Sequence, residues 1–204
     1  EGLHKRGYRI NSVEAALKQT FAAGLVQLSY WNPDRVLMDP FCGSGTIPIE
    51  AAMIGKNIAP GIQRSFASEE WPRVKKEYWK EAKVEAKKAI LQDKKLHIVA
   101  SDIDKEAIKI ARGNAYEFGL DDCITFIEND ARDIARKEKY GVIICNPPYG
   151  ERMGSVKEAE QLYTDIGRTF RQLDTWSVYI LSSNEHFERF YGKNADRKRK
   201  LYNG

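Results

Sequence analysis

The residues best suited to chemistry in this sequence are Asn146-Pro147-Pro148-Tyr149, which directly follow the apolar run 142–145. An exocyclic amine on a base or an amide is a weak nucleophile because its lone pair is delocalised. The side-chain oxygen of Asn146 and the backbone carbonyl of Pro147 could accept its two N–H groups and direct the lone pair at a methyl donor. The prolines stiffen the turn, and the Tyr149 ring offers a surface on which a flipped base can stack. These four residues are the predicted catalytic site for methylation of an exocyclic amine.

A glycine-containing turn, Pro40-Phe41-Cys42-Gly43-Ser44-Gly45-Thr46, joins a strand-like run to a helical stretch. Its glycines let the backbone bend sharply and approach a ligand, and the start of the helix offers free N–H groups. The lysine of a phosphate-binding P-loop is absent, and Pro48 stands where a dinucleotide fingerprint has its third glycine. A smaller nucleoside cofactor without a pyrophosphate remains. S-adenosylmethionine fits because it presents adenine, ribose and a charged amino acid.

Acidic residues follow two further apolar runs. Asp102 could accept hydrogen bonds from both ribose hydroxyls of such a cofactor, and Asp104 is predicted to cap the next helix. Asp130 could accept from the exocyclic amine of adenine, while the backbone N–H of Ala131 reaches a ring nitrogen. The simpler alternatives are a helix cap for Asp102 and an ordinary surface turn for Asp130.

The elements that must position these residues alternate β-branched runs with helical stretches. This pattern predicts an α/β fold with a mostly parallel sheet and helices on both faces. Strands are predicted at 36–39, 96–101, 124–129, 142–145 and 176–183, and a truncated last strand at 193–204. Helices are predicted at 47–55, 72–92, 105–118, 158–173 and 186–191. The carboxyl ends of the strands should bring the sites together at one edge of the sheet.

One helix carries a regular apolar face. Within 72–92, the residues at every fourth position are Val74, Tyr78, Ala82, Ala86 and Ile90, which predicts a helix with these residues on one face. Lys and Glu fill most of the other positions, and the basic stretch 73–88 is expected to be a solvated helix face. The preceding segment, 57–71, is predicted to be an irregular insertion. Residues 1–204 are therefore taken as one domain, with 1–35 as a helical lead-in and 57–92 as an insertion and basic helix.

Composition excludes several classes of protein. No apolar run approaches the roughly 18 residues of a membrane span, and the start shows no signal-peptide pattern. Three well-separated cysteines without CxxC or HxxxH pairing predict reduced thiols, no metal site and a cytoplasmic location. The net charge of +4, with basic stretches at 73–88 and 193–200, permits a nucleic-acid partner.

Taken together, the motifs resemble one known family. DPFCGSGTIPIEAAMIG, NIAPG, ASDID, NDARD and NPPYGERMG, with LHKRGYR near the start and KRKLYNG at the end, are similar to the methyltransferase domain of the bacterial large-subunit rRNA guanine-N2 methyltransferases. The same family is also described as N6-adenine-specific DNA methylases. The resemblance covers nearly the whole chain. It implies a Rossmann-like, seven-stranded S-adenosylmethionine-dependent fold with a reversed last strand.

The resemblance also implies roles for individual residues. Target-amine contacts fall to Asn146 through Tyr149, and Ser44 of the glycine turn joins the predicted cofactor site. The cofactor contacts implied are Asp39, Phe41, Gly43, Gly45, Asp102, Ile103 and Asp130.

The predicted reaction is methyl transfer from S-adenosylmethionine to the N2 amine of a guanine in large-subunit rRNA. N6 methylation of adenine in DNA or RNA, methylation of a protein glutamine amide, and a catalytically silent binding module are the alternatives. Family members usually carry an N-terminal RNA-binding THUMP domain, which residues 1–204 do not encode, and a strand expected after LYNG is absent from this sequence. We therefore expect this chain to hold the reaction centre without the parts that select its RNA.

Overall fold

Five strands form one sheet, in which every neighbouring pair is parallel. The structure, a computed structural model, describes residues 2, 5–9, 17–149 and 156–202. The strand order is β3-β2-β1-β4-β5, with β1 Leu37–Asp39, β2 Ile98–Asp102, β3 Ile124–Glu128, β4 Val142–Cys145 and β5 Ser177–Ile180. Because the chain proceeds from β1 outward to β3 and then returns to β4 on the other side, the order reverses between β1 and β4. Such a reversal is where open α/β sheets bind ligands.

Helices cover both faces of the sheet. They are α1 Gln19–Leu28, α2 Thr46–Gly55, α3 Lys76–Lys88, α4 Lys105–Tyr116, α5 Val156–Phe170 and α6 Phe187–Tyr191. Successive strand residues point to opposite faces, so Leu37 packs in an apolar cluster with α1, α2 and α4, and Met38 packs in a second cluster with α5. The predicted α/β architecture, a parallel sheet with helices on both faces, is confirmed, and the strands of the described residues are all parallel.

The helix that follows β2 begins at Lys105, as the sequence predicts, and ends at Tyr116, two residues before the predicted end. Asp104 accepts a hydrogen bond from the backbone N–H of Glu106 at 2.9 Å and caps α4. Gly119, just beyond the helix, has a φ of +65° that favours glycine. The cap predicted for Asp104 is confirmed, which leaves Asp102 available for another role.

The basic helix forms, as predicted, but it does not pack on the sheet. α3 is shorter than the predicted 72–92, and none of its residues is buried. Its attachment is to the insertion rather than the sheet: the ring of Trp79 stacks on Phe66 with centroids 5.3 Å apart, and Lys83 pairs with Glu69 at 2.9 Å. The apolar face of Tyr78 and Ala82 is consequently exposed.

The strand expected near the end does not form in the described residues, which reach 202. This segment folds back on α6 instead. The backbone N–H of Ala195 donates to the Glu188 carboxylate at 2.6 Å, and Lys198 forms an ion pair with the same side chain. The charged carboxylate therefore holds the basic tail by contacts that compete with strand pairing.

Candidate active site

The backbone of the glycine turn requires its two glycines. Gly43 and Gly45 have φ values of +51° and +82°, in the left-handed region. A Cβ atom at Gly45 would lie 3.0 Å from the Cβ of Ala111, so α4 approaches the turn closely. The turn therefore bends tightly at the carboxyl end of β1, and its two glycines leave the backbone uncovered by side chains. We call this turn the glycine cradle.

Asp102 connects the end of β2 to this turn. One carboxylate oxygen accepts from the backbone N–H of Gly43 at 2.9 Å, and the other accepts from the N–H of Asp104 at 3.0 Å. A carboxylate oxygen has two lone pairs, so both retain capacity for ligand hydroxyls. The neighbouring Ile103 is 66% exposed and offers an apolar surface beside them. The ribose role of Asp102 stays a prediction with which this geometry agrees.

Asp39 is a buried carboxylate at the end of β1. It is 1% exposed and accepts a hydrogen bond from the backbone N–H of Phe41 at 3.1 Å. Burial, followed by the charge of Asp102, raises the pKa of Asp39 well above its usual value. Within the described residues, no ion pair joins either acid to a basic side chain. This region therefore favours a positively charged ligand.

Two buried hydroxyl groups beside the acids have no hydrogen-bond partner among the described residues. They belong to Ser44, which is 2% exposed, and Ser101, which is 0% exposed. A buried polar group without a partner is costly, so these hydroxyls suit a polar ligand. The glycine cradle, the acid pair and these hydroxyls together fit S-adenosylmethionine, which carries two positive centres, a ribose and an amino-acid group.

A cavity of about 220 Å³ lies against the last residues of β1, β2 and β3. Its lining includes Met38, Ser101 and Asn129, which are adjacent in sequence to Asp39, Asp102 and Asp130. The cavity does not by itself join the three predicted cofactor acids, because Asp39, Asp102 and Asp130 are not among its lining residues.

Asp130 is already engaged by a neighbouring side chain. It caps the 3₁₀ turn Ala131–Asp133 by accepting from the backbone N–H of Arg132 at 2.9 Å, and both of its oxygens accept from the Arg132 guanidinium. Hydrogen bonds from Arg132 lower the pKa of Asp130. Because these bonds occupy its acceptor sites, binding of adenine by Asp130, which stays a prediction, requires Arg132 to move or share them. Ala131 is buried at the same turn.

The turn after β4 is held by two tyrosines. The hydroxyl of Tyr149 donates to the side-chain oxygen of Asn146 at 2.5 Å, and the hydroxyl of Tyr163 in α5 donates to the Pro148 carbonyl at 3.0 Å. The hydrogen bonds of the described residues do not engage the Pro147 carbonyl. Asn146 keeps one lone pair on its oxygen, so both predicted acceptors of a target amine are available. The predicted catalytic roles stay predictions.

The Tyr149 hydroxyl has a contact that sequence reasoning missed, since only a stacking role was predicted for its ring. By fixing the side-chain oxygen of Asn146, the hydroxyl also fixes which way the amide points. Residues 150–155, which carry the GERMG part of the resemblance, lie outside the described residues.

A second missed residue is Arg9, near the start of the chain. One terminal nitrogen of its guanidinium donates to the Leu17 carbonyl and to the Thr46 hydroxyl, both at 2.6 Å. Thr46 is the first residue of α2. The only signal in the sequence was the position of Arg9 inside the LHKRGYR segment, to which no role was given.

The cysteines do not supply a nucleophile at this site. Cys42 and Cys145 are buried, and burial together with the charge of Asp39 raises the pKa of both thiols. They therefore remain protonated near neutral pH. The described residues contain no cluster of three His, Cys, Asp or Glu side chains placed to hold a metal ion. None of their helices has the length and apolarity that crossing a membrane requires.

Two curated relatives align with the whole or nearly the whole chain. YpsC of Bacillus subtilis (strain 168), named as a proposed RNA methyltransferase, is 53% identical over 203 residues, which are 100% of this chain and 53% of that protein. The ribosomal RNA large subunit methyltransferase K/L of Shewanella baltica (strain OS155) is 42% identical over 208 residues, 99% of this chain and 29% of that protein. The chain thus spans about half of the first relative and less than a third of the second.

Solved structures share the fold closely. SMU.472, described as a proposed methyltransferase complexed with SAH, has a TM-score of 0.94 and 46% identity, covering 99% of this chain and 53% of that one. A Listeria monocytogenes protein, described as a predicted N6-adenine-specific DNA methylase, has a TM-score of 0.93 and 51% identity. The match covers 98% of this chain and 53% of that one. The model of the UPF0020 family (RMKL-like, methyltransferase domain) matches residues 6–204. That match contains both the glycine turn and the Asn146 turn, and the chain belongs to this family of S-adenosylmethionine-dependent methyltransferase domains.

Proposed function

We propose that this chain transfers a methyl group from S-adenosylmethionine to the N2 amine of a guanine in large-subunit ribosomal RNA. The observation that carries the proposal is the pairing of β1 with β4, in which Leu37 is level with Val142 and Met38 with Ile143. The glycine turn and the Asn146 turn therefore leave adjacent strands at the same edge of the sheet. Cofactor and target amine would meet there.

Asn146 and Pro147 bind and orient the target amine. Two acceptors, the Asn146 side-chain oxygen and the Pro147 carbonyl, hold the two N–H groups and favour a more tetrahedral nitrogen. The Tyr149 hydroxyl keeps the Asn146 oxygen in place by its hydrogen bond of 2.5 Å. Because the extra proton can leave after the methyl group has arrived, the arrangement needs no strong base.

Asp39 and Asp102 supply the electrostatic part of the site. S-adenosylmethionine, when bound, provides a methyl group on a positively charged sulfur. Two carboxylates without a described basic partner stabilise positive charge near the glycine turn. Asp102 additionally offers free lone pairs for ribose hydroxyls, as its two backbone contacts leave half of its acceptor capacity.

An RNA substrate is supported by the names of the two relatives, one of which acts on the large ribosomal subunit. Charge supports a nucleic acid over a protein glutamine, because the described basic residues of α3 and of 193–200 are exposed or half-exposed. A cytoplasmic location agrees with a ribosomal substrate. N6 methylation of adenine is the second candidate, favoured by the description of the Listeria structure. The Asn146 turn would accept either amine.

Asn146→Ala in the full-length protein tests the proposal. Turnover should fall about 100-fold because a group that acts on the transition state is typically worth about 3 kcal/mol. Binding of S-adenosylhomocysteine, measured by calorimetry, should change less than twofold. The control is Asn32→Ala, at an exposed asparagine before β1 and thus at the opposite edge of the sheet. It should leave both quantities unchanged.

The methylated nucleoside is identified by mass spectrometry of rRNA from cells with and without the gene. Loss of N2-methylguanosine from large-subunit rRNA supports the proposal. Loss of N6-methyladenosine instead would select the second candidate. Near-normal turnover of Asn146→Ala would remove Asn146 from the reaction centre.

A further inference from the structure

The guanidinium of Arg9 is fixed at the start of α2 with part of its hydrogen-bonding capacity unused. Only one terminal nitrogen makes described contacts, to the Leu17 carbonyl and the Thr46 hydroxyl. The Nε atom is buried and has no partner among the described residues. Arg6 of the same segment differs, because it forms an ion pair with Glu50 at 3.4 Å. Arg9 has no ion pair with any acid of the described residues.

The charge of Arg9 is only partly balanced by the described residues, because the buried Glu50 carboxylate lies near enough to interact with that charge but forms its ion pair with Arg6. A helix N-terminus carries partial positive charge from its free N–H groups, and α2, with ten residues, is long enough for this effect. A cation at that end opposes the helix dipole, and a buried N–H without an acceptor has lost its hydration. Ser44, two residues before Thr46, adds a second unpartnered donor that is 98% buried, since its exposed fraction is 2%.

The segment that carries Arg9 is anchored firmly enough to hold it in position. Tyr8 is 0% exposed, and its hydroxyl donates to Glu50 of α2 at 2.9 Å. Arg6 reaches the same carboxylate, and its backbone N–H donates to Gln19 of α1 at 3.0 Å. The residues before Arg9 are thus fixed to α1 and to α2, which begins directly after the glycine turn.

We propose that Arg9 binds the carboxylate of the amino-acid part of S-adenosylmethionine, with the Ser44 hydroxyl as a second donor. The carboxylate is the only anionic group of that cofactor. Its ammonium and sulfonium groups suit the opposite charge of Asp39 and Asp102, which lie at the ends of neighbouring strands. Acids from the sheet and a base from the start of the chain would together recognise a zwitterion. The proposal rests on the cofactor of the proposed function but does not depend on which amine is methylated.

Calorimetry with two ligands that differ only in the carboxylate tests this role. S-adenosylhomocysteine and its decarboxylated analogue are titrated into the full chain and into Arg9→Gln at one ionic strength. The wild type should bind S-adenosylhomocysteine at least tenfold more tightly than the analogue. Arg9→Gln should weaken binding of S-adenosylhomocysteine at least tenfold and binding of the analogue less than twofold. Lys5→Gln, at an exposed position of the same segment, removes the same charge and should leave the affinity for both ligands unchanged.

The two-ligand comparison separates recognition from a merely structural role. If Arg9 only holds the segment in place, Arg9→Gln weakens the binding of both ligands equally, and this result would overturn the proposal. Unchanged affinity for both ligands would overturn it as well. Should Arg9→Gln fail to fold, Arg9→Lys retains the charge and is expected to weaken S-adenosylhomocysteine alone; equal weakening again overturns the proposal. A wild type that binds neither ligand would contradict the proposed function itself. Equal affinity of the wild type for both ligands would contradict only the role of Arg9.

Discussion

In the proposed site, Asp39 would favour a bound cationic ligand but destabilise the protein without one. Its carboxylate is almost fully buried, and its pKa lies well above the usual value through burial and the nearby charge of Asp102. An acid whose pKa is raised in the folded state destabilises that state once it is ionised. This penalty is full above the raised pKa, shrinks as the pH falls below it, and is gone only below the ordinary carboxyl pKa of the unfolded chain. A cationic ligand would offset the same penalty.

Asp39→Asn should therefore stabilise the ligand-free protein and weaken cofactor binding. Asparagine has nearly the same shape, and its oxygen can still accept from the Phe41 N–H. We expect the free energy of unfolding in urea at pH 7 to rise by roughly 1–3 kcal/mol, the usual cost of an uncompensated buried polar group. The gain should shrink as the pH falls below the raised pKa and vanish below the ordinary carboxyl pKa of the unfolded chain. Affinity for S-adenosylmethionine should fall and lose the increase with pH that the wild type shows through that range.

The control for this change is Asp174→Asn, at an exposed acid before β5. Exposed substitutions of this kind usually alter stability by less than about 0.5 kcal/mol. A less stable Asp39→Asn protein at pH 7 would mean that the native carboxylate has a compensating partner, contrary to the account above.

At the scale of elements, the close contact between α4 and the glycine turn fixes the cofactor cradle. Gly45→Ala should disrupt this contact. Alanine at a φ of +82° is strained, and its Cβ would lie 3.0 Å from the Cβ and 3.3 Å from the Cα of Ala111. The left-handed backbone and the overpacking together should cost at least about 2 kcal/mol, measured as a lower midpoint of urea unfolding.

Gly113→Ala offers a matched control in α4 itself. This glycine is helical, and a Cβ there would meet no atom within 4 Å. The same substitution should stabilise the protein by roughly 0.5–1 kcal/mol because alanine loses less conformational entropy on folding. If Gly45→Ala is as stable as the wild type, α4 can shift away from the turn and the contact does not define the cradle.

The elements that could be predicted from the sequence are those whose causes are local. Continuous apolar runs gave the strands, and the Asp104 side chain gave the start of α4. The packing of α3 could not be predicted, because an apolar period shows only that a helix can be buried and does not show what it meets. The stacking of Trp79 on Phe66 attaches α3 to the insertion, and these residues lie 13 apart in sequence across an irregular segment.

The same limit applies to the site residues. The acids Asp39, Asp102 and Asp130 could be located from their positions after apolar runs, since strand ends converge in a parallel sheet. The pairing of Asp130 with Arg132 and the hydrogen bond of Tyr149 to Asn146 depend on which rotamers the turns allow. The contact of Arg9 with Thr46 spans 37 residues, and no spacing rule links them.

At the scale of the whole molecule, the proposed methylation of a guanine requires more binding energy than the cofactor site supplies. A guanine amine in a helical region of RNA is reached by unpairing and flipping its nucleotide, at a cost of a few kcal/mol. Contacts elsewhere on the RNA must offset this cost. The chain offers exposed basic residues in 73–88 and 193–200, and the exposed aromatic side chains Trp71 and Tyr78, which are 61% and 57% accessible. Such surfaces bind phosphates and bases with little selectivity.

We therefore predict that the 204-residue chain binds S-adenosylhomocysteine as tightly as the full-length protein but binds RNA weakly and methylates it poorly. The curated relatives are longer, since the chain spans 53% of one and 29% of another, and their remaining regions can supply RNA contacts. The affinity for RNA should fall steeply with salt, because each neutralised phosphate adds about 0.7–0.9 to the steepness with which the logarithm of the affinity falls against the logarithm of the salt concentration. Methyl incorporation into protein-free large-subunit rRNA, compared between the chain and the full-length protein, checks the prediction. Efficient methylation of one guanine by the chain alone would place RNA selection within it, and residues 57–71, beside the exposed aromatic and basic surface, would be the first segment to alter.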